Sequence, residues 1–425
     1  MLSLVIFLIL TFNLLRNYCK WVIVILSLCP FFMQFLLWQQ NLLTYLFLII
    51  ILLFPIKYRN ITRNLKQFPL KWACFCIAFS LFAANYFAPP ANKHTPATIC
   101  AIVENTLILY IFYYLYKENP EKVFKTFIRT NFIFGGITCI YCLFEGILQT
   151  NPYIDFMGNI GIYNSFDHTE VRHGIKRVQA FYSIYTSIAG LALYLIPLFI
   201  SYIKSKKSIW KINYIVYIFL LFIMLFFSGM RTGIVCISIC LLTFINKHIF
   251  TIKNITICIL LCIFISFSFH DYLNSFIDSM IHTDQVSGST EDGRERQWTI
   301  ALLSFVESPI WGHGYGYTFT DLVKIYPQIQ GADSIWITLM IEQGIVGIIS
   351  YIIFFISLFT FAYKRYPRLC FFIAGILCSQ TIASITSFNI THMFFYVLIM
   401  IHMNNTRLKE LKPITPFKSK NLQLT

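Results

Sequence analysis

Apolar runs of roughly 15–25 residues recur from one end of this chain to the other, each long enough to cross a bilayer core of about 30 Å as a helix. Only a helix satisfies its own backbone polar groups inside lipid, short of a closed barrel. Runs of this length are too long for barrel strands. The expected fold class is therefore all-α: a polytopic membrane protein of about 12–13 transmembrane helices, with two longer outside loops, the larger one partly helical. A soluble domain carries about 25% charged residues, whereas this chain carries 12%, with 57% hydrophobic residues. The composition excludes a string of soluble domains.

Spans are expected at 2–15, 21–37, 42–56, 71–88, 98–116, 125–148, 180–202, 212–228, 232–246, 254–269, 334–362, 369–387 and 390–403. The first two are short, so twelve rather than thirteen is the other count. The opening run lacks a basic start and a small-residue cleavage site, and it reads as a retained span rather than a signal peptide. The organisation that follows has N-terminal helices over 1–148 and a first outside loop over 149–179. Central helices follow over 180–269, then a large outside loop over 270–333, C-terminal helices over 334–403 and a tail over 404–425. The tail is polar and basic and is expected to lack structure.

The net charge of +15 would suggest nucleic acid in a soluble protein. Here its placement is more telling. With alternate loops assigned to the cytoplasm, 25 of the 33 basic residues fall inside. Only Lys93, Arg172, Lys176, Arg177, Arg231, Arg294, Arg296 and Lys324 fall outside. That asymmetry is the positive-inside pattern of membrane proteins, and it needs no nucleic-acid partner. The 13 cysteines lie in or beside spans. Secreted disulfide frameworks place theirs in loops, so no disulfide or metal framework is expected.

The exceptions to the charge rule carry the chemistry. Arg231 sits outside in the turn Ser-Gly-Met-Arg-Thr-Gly, 228–233, between glycines that let backbone approach a ligand. Arginine makes bidentate contacts to oxyanions; a snorkelling helix-end arginine is the plainer account. Arg177 stands where the first outside loop meets the next span. It is placed either for a lipid diphosphate or as one more solvated loop charge, and the second account is the stronger for Arg172 and Lys176. In the large loop, Glu291, Asp292 and Arg294 precede a helical stretch, 298–305, with Trp298 as an interfacial anchor. The turn Trp-Gly-His-Gly-Tyr-Gly, 311–316, follows, offering Trp311, His313 and Tyr315. Its alternating glycines suggest a nest of backbone N–H groups facing an anion. Asp333 and Ser334 open the next span, where either could be the N-cap. Glu104 and Glu145 are acids within or near spans, where charge is costly.

The ordered set of these pieces resembles the O-antigen ligase/polymerase superfamily of bacterial envelope enzymes. Arg-Val-Gln-Ala-Phe at 177–181 is similar to its Arg-x-x-Gly-Phe, with Ala180 where glycine is usual. Ser-Gly-Met-Arg is similar to its Ser-x-x-Arg turn. Gly293–Trp298 and Pro309–Gly314 are similar to its Gly-Arg-x-x-x-Trp and Pro-x-x-Gly-x-Gly. The resemblance covers about 170–350 by motif, and the whole chain by its plan of spans. Ligases of this family carry His-Asn where this chain has Asp333–Ser334, a departure that favours a Wzy-type polymerase.

The resemblance implies glycosyl transfer at the periplasmic face of the bacterial inner membrane, without cofactor or metal. The donor is a polyprenyl diphosphate-linked oligosaccharide and the product is O-antigen or a related surface polysaccharide. Arg231, Arg294 and Asp333 are the implied catalytic residues. Arg177, Arg172, Glu291, Asp292, Trp311, His313 and Tyr315 are the implied substrate contacts. Membrane lipid and a chain-length regulator are the implied partners. Transfer to lipid A-core by a ligase is the nearest alternative. A flippase for the same lipid-linked unit is the alternative of another class, and it would call for mid-membrane charges and internal repeats.

Overall fold

The computed structural model describes residues 2–32, 35–37, 40–58, 61–159, 171–172, 175–182, 185–205, 211–244, 291–329, 332, 334–382 and 390–411. Its helices are α1 (Leu2–Arg16), α2 (Tyr18–Ser27), α3 (Leu42–Lys57), α4 (Lys71–Phe87), α5 (Thr95–Glu118) and α6 (Pro120–Leu148). Then come α7 (Tyr185–Ser205), α8 (Lys211–Phe227), α9 (Arg231–Leu241), α10 (Glu291–Glu307), α11 (Ile335–Tyr363), α12 (Leu369–Ile382) and α13 (Ile390–Leu411). Several single helical turns join them. Two small antiparallel hairpins interrupt the otherwise helical chain. In one, β1 (Leu36–Leu37) pairs with β2 (Gln40–Asn41); in the other, β3 (Val171–Arg172) pairs with β4 (Ile175–Lys176). The all-α membrane architecture stands. Four helices, α5, α6, most of α7 and α11, are long and apolar enough to cross a membrane, and seven shorter apolar ones accompany them.

Two departures from the sequence expectations have local causes. The span at 21–37 is the ten-residue α2, one further turn and a hairpin. Pro30 falls where a continuous helix would have to run, and the polar Gln39-Gln40-Asn41 follow just after the span. The chain beyond 404, expected to lack structure, continues α13 to Leu411. Its Arg407-Leu408-Lys409-Glu410 are good helix formers. The expected span at 254–269 lies outside the described residues.

A helix that is apolar all round belongs in the middle of a bundle, and α7, α13 and the Ile108–Leu115 part of α5 do this. Leu191–Leu195 and Met393–Ile401 are buried throughout. Phe112 of α5 stacks on Phe395 at 4.0 Å between centroids, and Tyr194 lies 4.7 Å from Tyr396. The helix α6 begins at a preorganised cap: Asn119 Oδ1 accepts the Lys122 N–H at 3.3 Å, and Pro120 fills the first position. It runs parallel to α8, since Gly135 lies against Tyr217 and Gly146 against Phe227.

These directions sort the helix ends. Lys57, Lys71, Lys117, Lys122 and Lys204 lie at one set of ends. The opposite set gathers the end of α6, the turn between α8 and α9, the end of α4 and the start of α11. The segments singled out from the sequence are attached there.

Candidate active site

The first group is built on Glu145, the last acid of α6, which is 1% exposed. Its carboxylate accepts the Gln179 N–H on both oxygens, at 3.1 and 3.2 Å, and the Ala180 N–H at 2.6 Å. Residues 177–180 have no regular structure, so their backbone donors need such an acceptor. Ala180 occupies the left-handed region at φ 47°. Glycine is the residue that adopts this conformation without strain, so Ala180 carries a backbone cost that glycine would not. Asn151 Nδ2 donates to the Ala180 carbonyl at 2.9 Å, and Tyr141 O–H donates to Asn151 Oδ1 at 3.0 Å.

Held in this way, the segment lies along the α8–α9 turn. The Val178 N–H donates to the Phe227 carbonyl at 3.2 Å. Arg177, 4% exposed, donates from Nε to the Ser228 carbonyl at 3.0 Å and from Nη2 to the Gly229 carbonyl at 2.8 Å. Gly229 has φ 63°, and its α-carbon faces the Arg177 side chain. Arg231, two residues further on, is the first residue of α9 and is half-buried. Its helix starts where unsatisfied backbone N–H groups and the helix dipole favour an anion. The structure thus brings Arg177 and the Arg231 turn together, through backbone rather than through a shared ligand.

The second group is the glycine turn on α11. That helix is broken at Gly344, which has φ 61° and ψ −155°. The break releases backbone groups on both sides, and the turn takes them up. His313 and Gly314 N–H donate to the Ile341 and Glu342 carbonyls at 2.9 and 3.1 Å. In return Ile345 and Val346 N–H donate to the Pro309 and Ile310 carbonyls at 2.9 and 3.4 Å. A β-carbon on Gly344 would meet the Ile310 carbonyl oxygen at 2.6 Å, so only glycine allows this approach. Gly344 thus makes room for the turn.

The nest expected from the alternating glycines forms only in part: Gly312, His313 and Gly314 N–H donate to the Ser308, Ile341 and Glu342 carbonyls, and Gly316 alone of the three glycines turns its N–H to a side chain. Gly316 N–H and Thr318 N–H point at the Glu342 carboxylate, the latter at 3.3 Å. Glu342 is 2% exposed. His313 is buried, with Nε2 2.9 Å from the Ser304 carbonyl and its ring stacked on Tyr317 at 4.7 Å. Trp311 stacks on Phe87 of α4 at 4.7 Å, and Tyr315 packs against the main core. At the rim, Lys324 donates to Asp321 at 2.8 Å and holds that carboxyl below its ordinary range, and His94 lies 3.5 Å from the same carboxylate.

The remaining candidates are less closely tied. Arg294 is exposed on α10, whose other face packs on α11. Glu291 and Asp292 are the first two residues of that helix. Arg172 lies in the β3–β4 hairpin, paired with Ile175. Ser334 is the N-cap of α11, its Oγ accepting the Trp336 N–H at 3.3 Å. Asp333 lies outside the described residues. Sequence reasoning left Glu145 and Glu342 without a role, and it missed Gln343, which is buried and accepts from Ser80 Oγ at 2.9 Å. The available signal was an isolated acid or amide beside glycine at the end of an apolar run.

In comparison with protein families, residues 216–352 fit the family described as O-antigen ligase. This agrees with the superfamily that the motifs resemble. The matched stretch holds Arg231, Arg294, Trp311, His313, Tyr315 and Asp333, while Arg172 and Arg177 precede it. No curated protein matches the chain.

Proposed function

We propose that this chain, matched over its centre to the O-antigen ligase family, is a polymerase of lipid-linked oligosaccharides. A hydroxyl oxygen of the acceptor repeat unit attacks the anomeric carbon of the donor glycan. The bond from that carbon to the diphosphate oxygen breaks, and polyprenyl diphosphate leaves. Its developing charge is met by guanidinium groups, which are worth more in a water-poor site than in solution. Arg231 and Arg294 fill that role. Arg177, engaged with the Ser228 and Gly229 carbonyls, contributes chiefly by holding the turn that carries Arg231. The acceptor proton goes to a carboxylate base: Asp333 first, Glu291 or Asp292 next. Trp311, stacked on Phe87, His313, bonded to the Ser304 carbonyl, and Tyr315, packed against the core, hold the glycine turn that borders the sugar site, and Arg172 lies at its rim.

The observation that carries this reading is the clamp itself. Two motifs separated by about fifty residues are locked together at one end of the bundle, with an arginine at a helix start between them. The site is proposed to face the periplasm from the inner membrane, with a chain-length regulator as an additional partner. The test is the polysaccharide ladder in cells carrying Arg231→Ala or Arg294→Ala at normal membrane levels. Collapse to single repeat units is expected; a wild-type ladder from both variants sinks the mechanism. A deletion strain separates the alternatives. Accumulated single units indicate polymerase, full-length polymer left on its carrier indicates ligase, and units trapped on the inner leaflet indicate flippase.

A further inference from the structure

Helix α10 has two apolar faces, and among the described residues only one of them is packed into a core. Ile300 and Ala301 are buried in a small core with Ile337, Met340 and Ile341 of α11. On the other side Trp298, Leu302 and Val306 follow one another at helical spacing, with Leu303 beside them. They are 40%, 53%, 75% and 58% exposed. Ile310, just past the helix, is 52% exposed. The first turns are different in kind: Arg294, Glu295 and Arg296 are all exposed and charged.

The depth of this helix follows from α11. About twenty residues separate Gly344 from Tyr363, and at 1.5 Å per residue they rise about 30 Å, the thickness of a hydrocarbon core. Lys364 and Arg365 follow directly at one end. The break at Gly344 then marks the other hydrocarbon edge. The turns before it, on which α10 packs, lie at head-group level.

The exposed face of α10 also has an apolar continuation. After Ile310, Trp311 stacks on Phe87 and meets Phe79 edge-on at 6.4 Å. Phe79, Phe82 and Phe87 are the exposed side of α4, and Ile345 and Ile349 that of α11. These are the surfaces that helices of a membrane bundle turn to lipid.

We propose that α10 is an interfacial membrane helix. Its Trp298–Leu302–Val306 face lies among the acyl chains of the phospholipid leaflet, and its charged first turns stand among the head groups. Amphipathic helices of this pattern bury their apolar face about 5–10 Å into the boundary. The immersion is independent of the glycosyl-transfer reading. One consequence does rest on that reading: Arg294 and Arg296 stand at the height where a diphosphate anchored by its lipid tail would travel.

The test uses the full chain in nanodiscs of phosphatidylethanolamine and phosphatidylglycerol. Photoreactive benzoylphenylalanine replaces Leu302, Val306, Glu295 or Ile352, one position at a time, and adducts are identified by mass spectrometry. Ile352 is the control on a spanning helix. Phospholipid adducts at Leu302 and Val306 matching the Ile352 yield, with Glu295 at background, are the expected result. Lipid adducts at Ile352 but at neither Leu302 nor Val306 would overturn the proposal. So would cross-links from those two positions to a second copy of the chain. Loss of polymer in an otherwise lipid-contacting chain would count against the function and leave the immersion standing.

Discussion

Arg177 separates a positioning role from direct contact with substrate. Its guanidinium is buried and donates to two turn carbonyls at 3.0 and 2.8 Å. Hydrogen bonds to charged groups contribute about 1.5–3 kcal/mol each, and unpaired buried partners add a desolvation cost. Arg177→Ala removes both donors, leaves the Ser228 and Gly229 carbonyls without them and opens a void, so a loss of about 3–5 kcal/mol is expected. Arg177→Lys keeps a charge but not the fork, and should lose roughly half of that. Such losses are large beside the 5–15 kcal/mol of a typical folded domain. The assay is thermal unfolding of the purified protein in detergent, followed by size-exclusion, alongside the polysaccharide ladder. Both readouts should fall in the order wild type, Lys, Ala. Arg231→Ala should abolish the ladder with a much smaller thermal shift. If Arg177→Ala melts like the wild type while losing its ladder, Arg177 touches substrate and the clamp argument is wrong.

The remaining expectations test the same geometry elsewhere. Glu145→Gln keeps one acceptor oxygen but turns an amide N–H₂ toward backbone donors; about 2–4 kcal/mol should be lost, read as earlier proteolysis of the segment after 176. Ala180→Gly should leave thermal stability unchanged or raise it by up to about 1 kcal/mol, because relief of the left-handed alanine offsets the added freedom of glycine in the unfolded chain. Gly344→Ala forces a β-carbon against the Pro309 and Ile310 carbonyls at a positive φ, and about 3 kcal/mol or more should be lost, with the glycine turn released to protease. The Asp321 carboxylate is favoured by Lys324, so its contribution is present above the unfolded pKa and lost as pH falls through the lower folded value. The contact to Lys324 should therefore loosen below pH 3.8, and Asp321→Asn should loosen it at neutral pH, both read by hydrogen exchange at residues 318–324.

Hydropathy made the bundle legible, because transfer of apolar side chains into lipid is nearly a property of each run by itself. It also made the two ends legible, since charge placement is local. The pairing of Arg177 with the Arg231 turn was visible only as the order of two motifs. What stayed hidden depends on partners far along the chain. Nothing around Gly344 announces a break inside an apolar run; the break is held open by Pro309 and Ile310, about 35 residues earlier. The glycine turn was legible as a source of free backbone N–H groups, but not that most of them meet carbonyls and that Gly316 and Thr318 meet Glu342. Likewise Glu145 could not be told from a catalytic acid until its acceptor role toward residues 179 and 180 was seen.

One device appears twice at this end of the bundle. A carboxylate on a spanning helix, buried at its extreme, accepts backbone N–H groups from an irregular polar segment: Glu145 from residues 179 and 180, Glu342 from residues 316 and 318. A loop pressed onto a membrane bundle loses water from its backbone donors and has no strand neighbour to replace it. A carboxylate offers about four lone-pair sites on a short tether, so one side chain can satisfy several donors at once. Its charge is thereby spread over fixed dipoles rather than left bare in a medium where charge is expensive. The acids that hydropathy marks as anomalies are, on this account, what fastens the arginine turn and the glycine turn to rigid helices. On the proposed function, guanidinium groups that receive a diphosphate gain most when they do not have to reorganise to meet it. The buried acids contribute that rigidity without touching the reacting atoms.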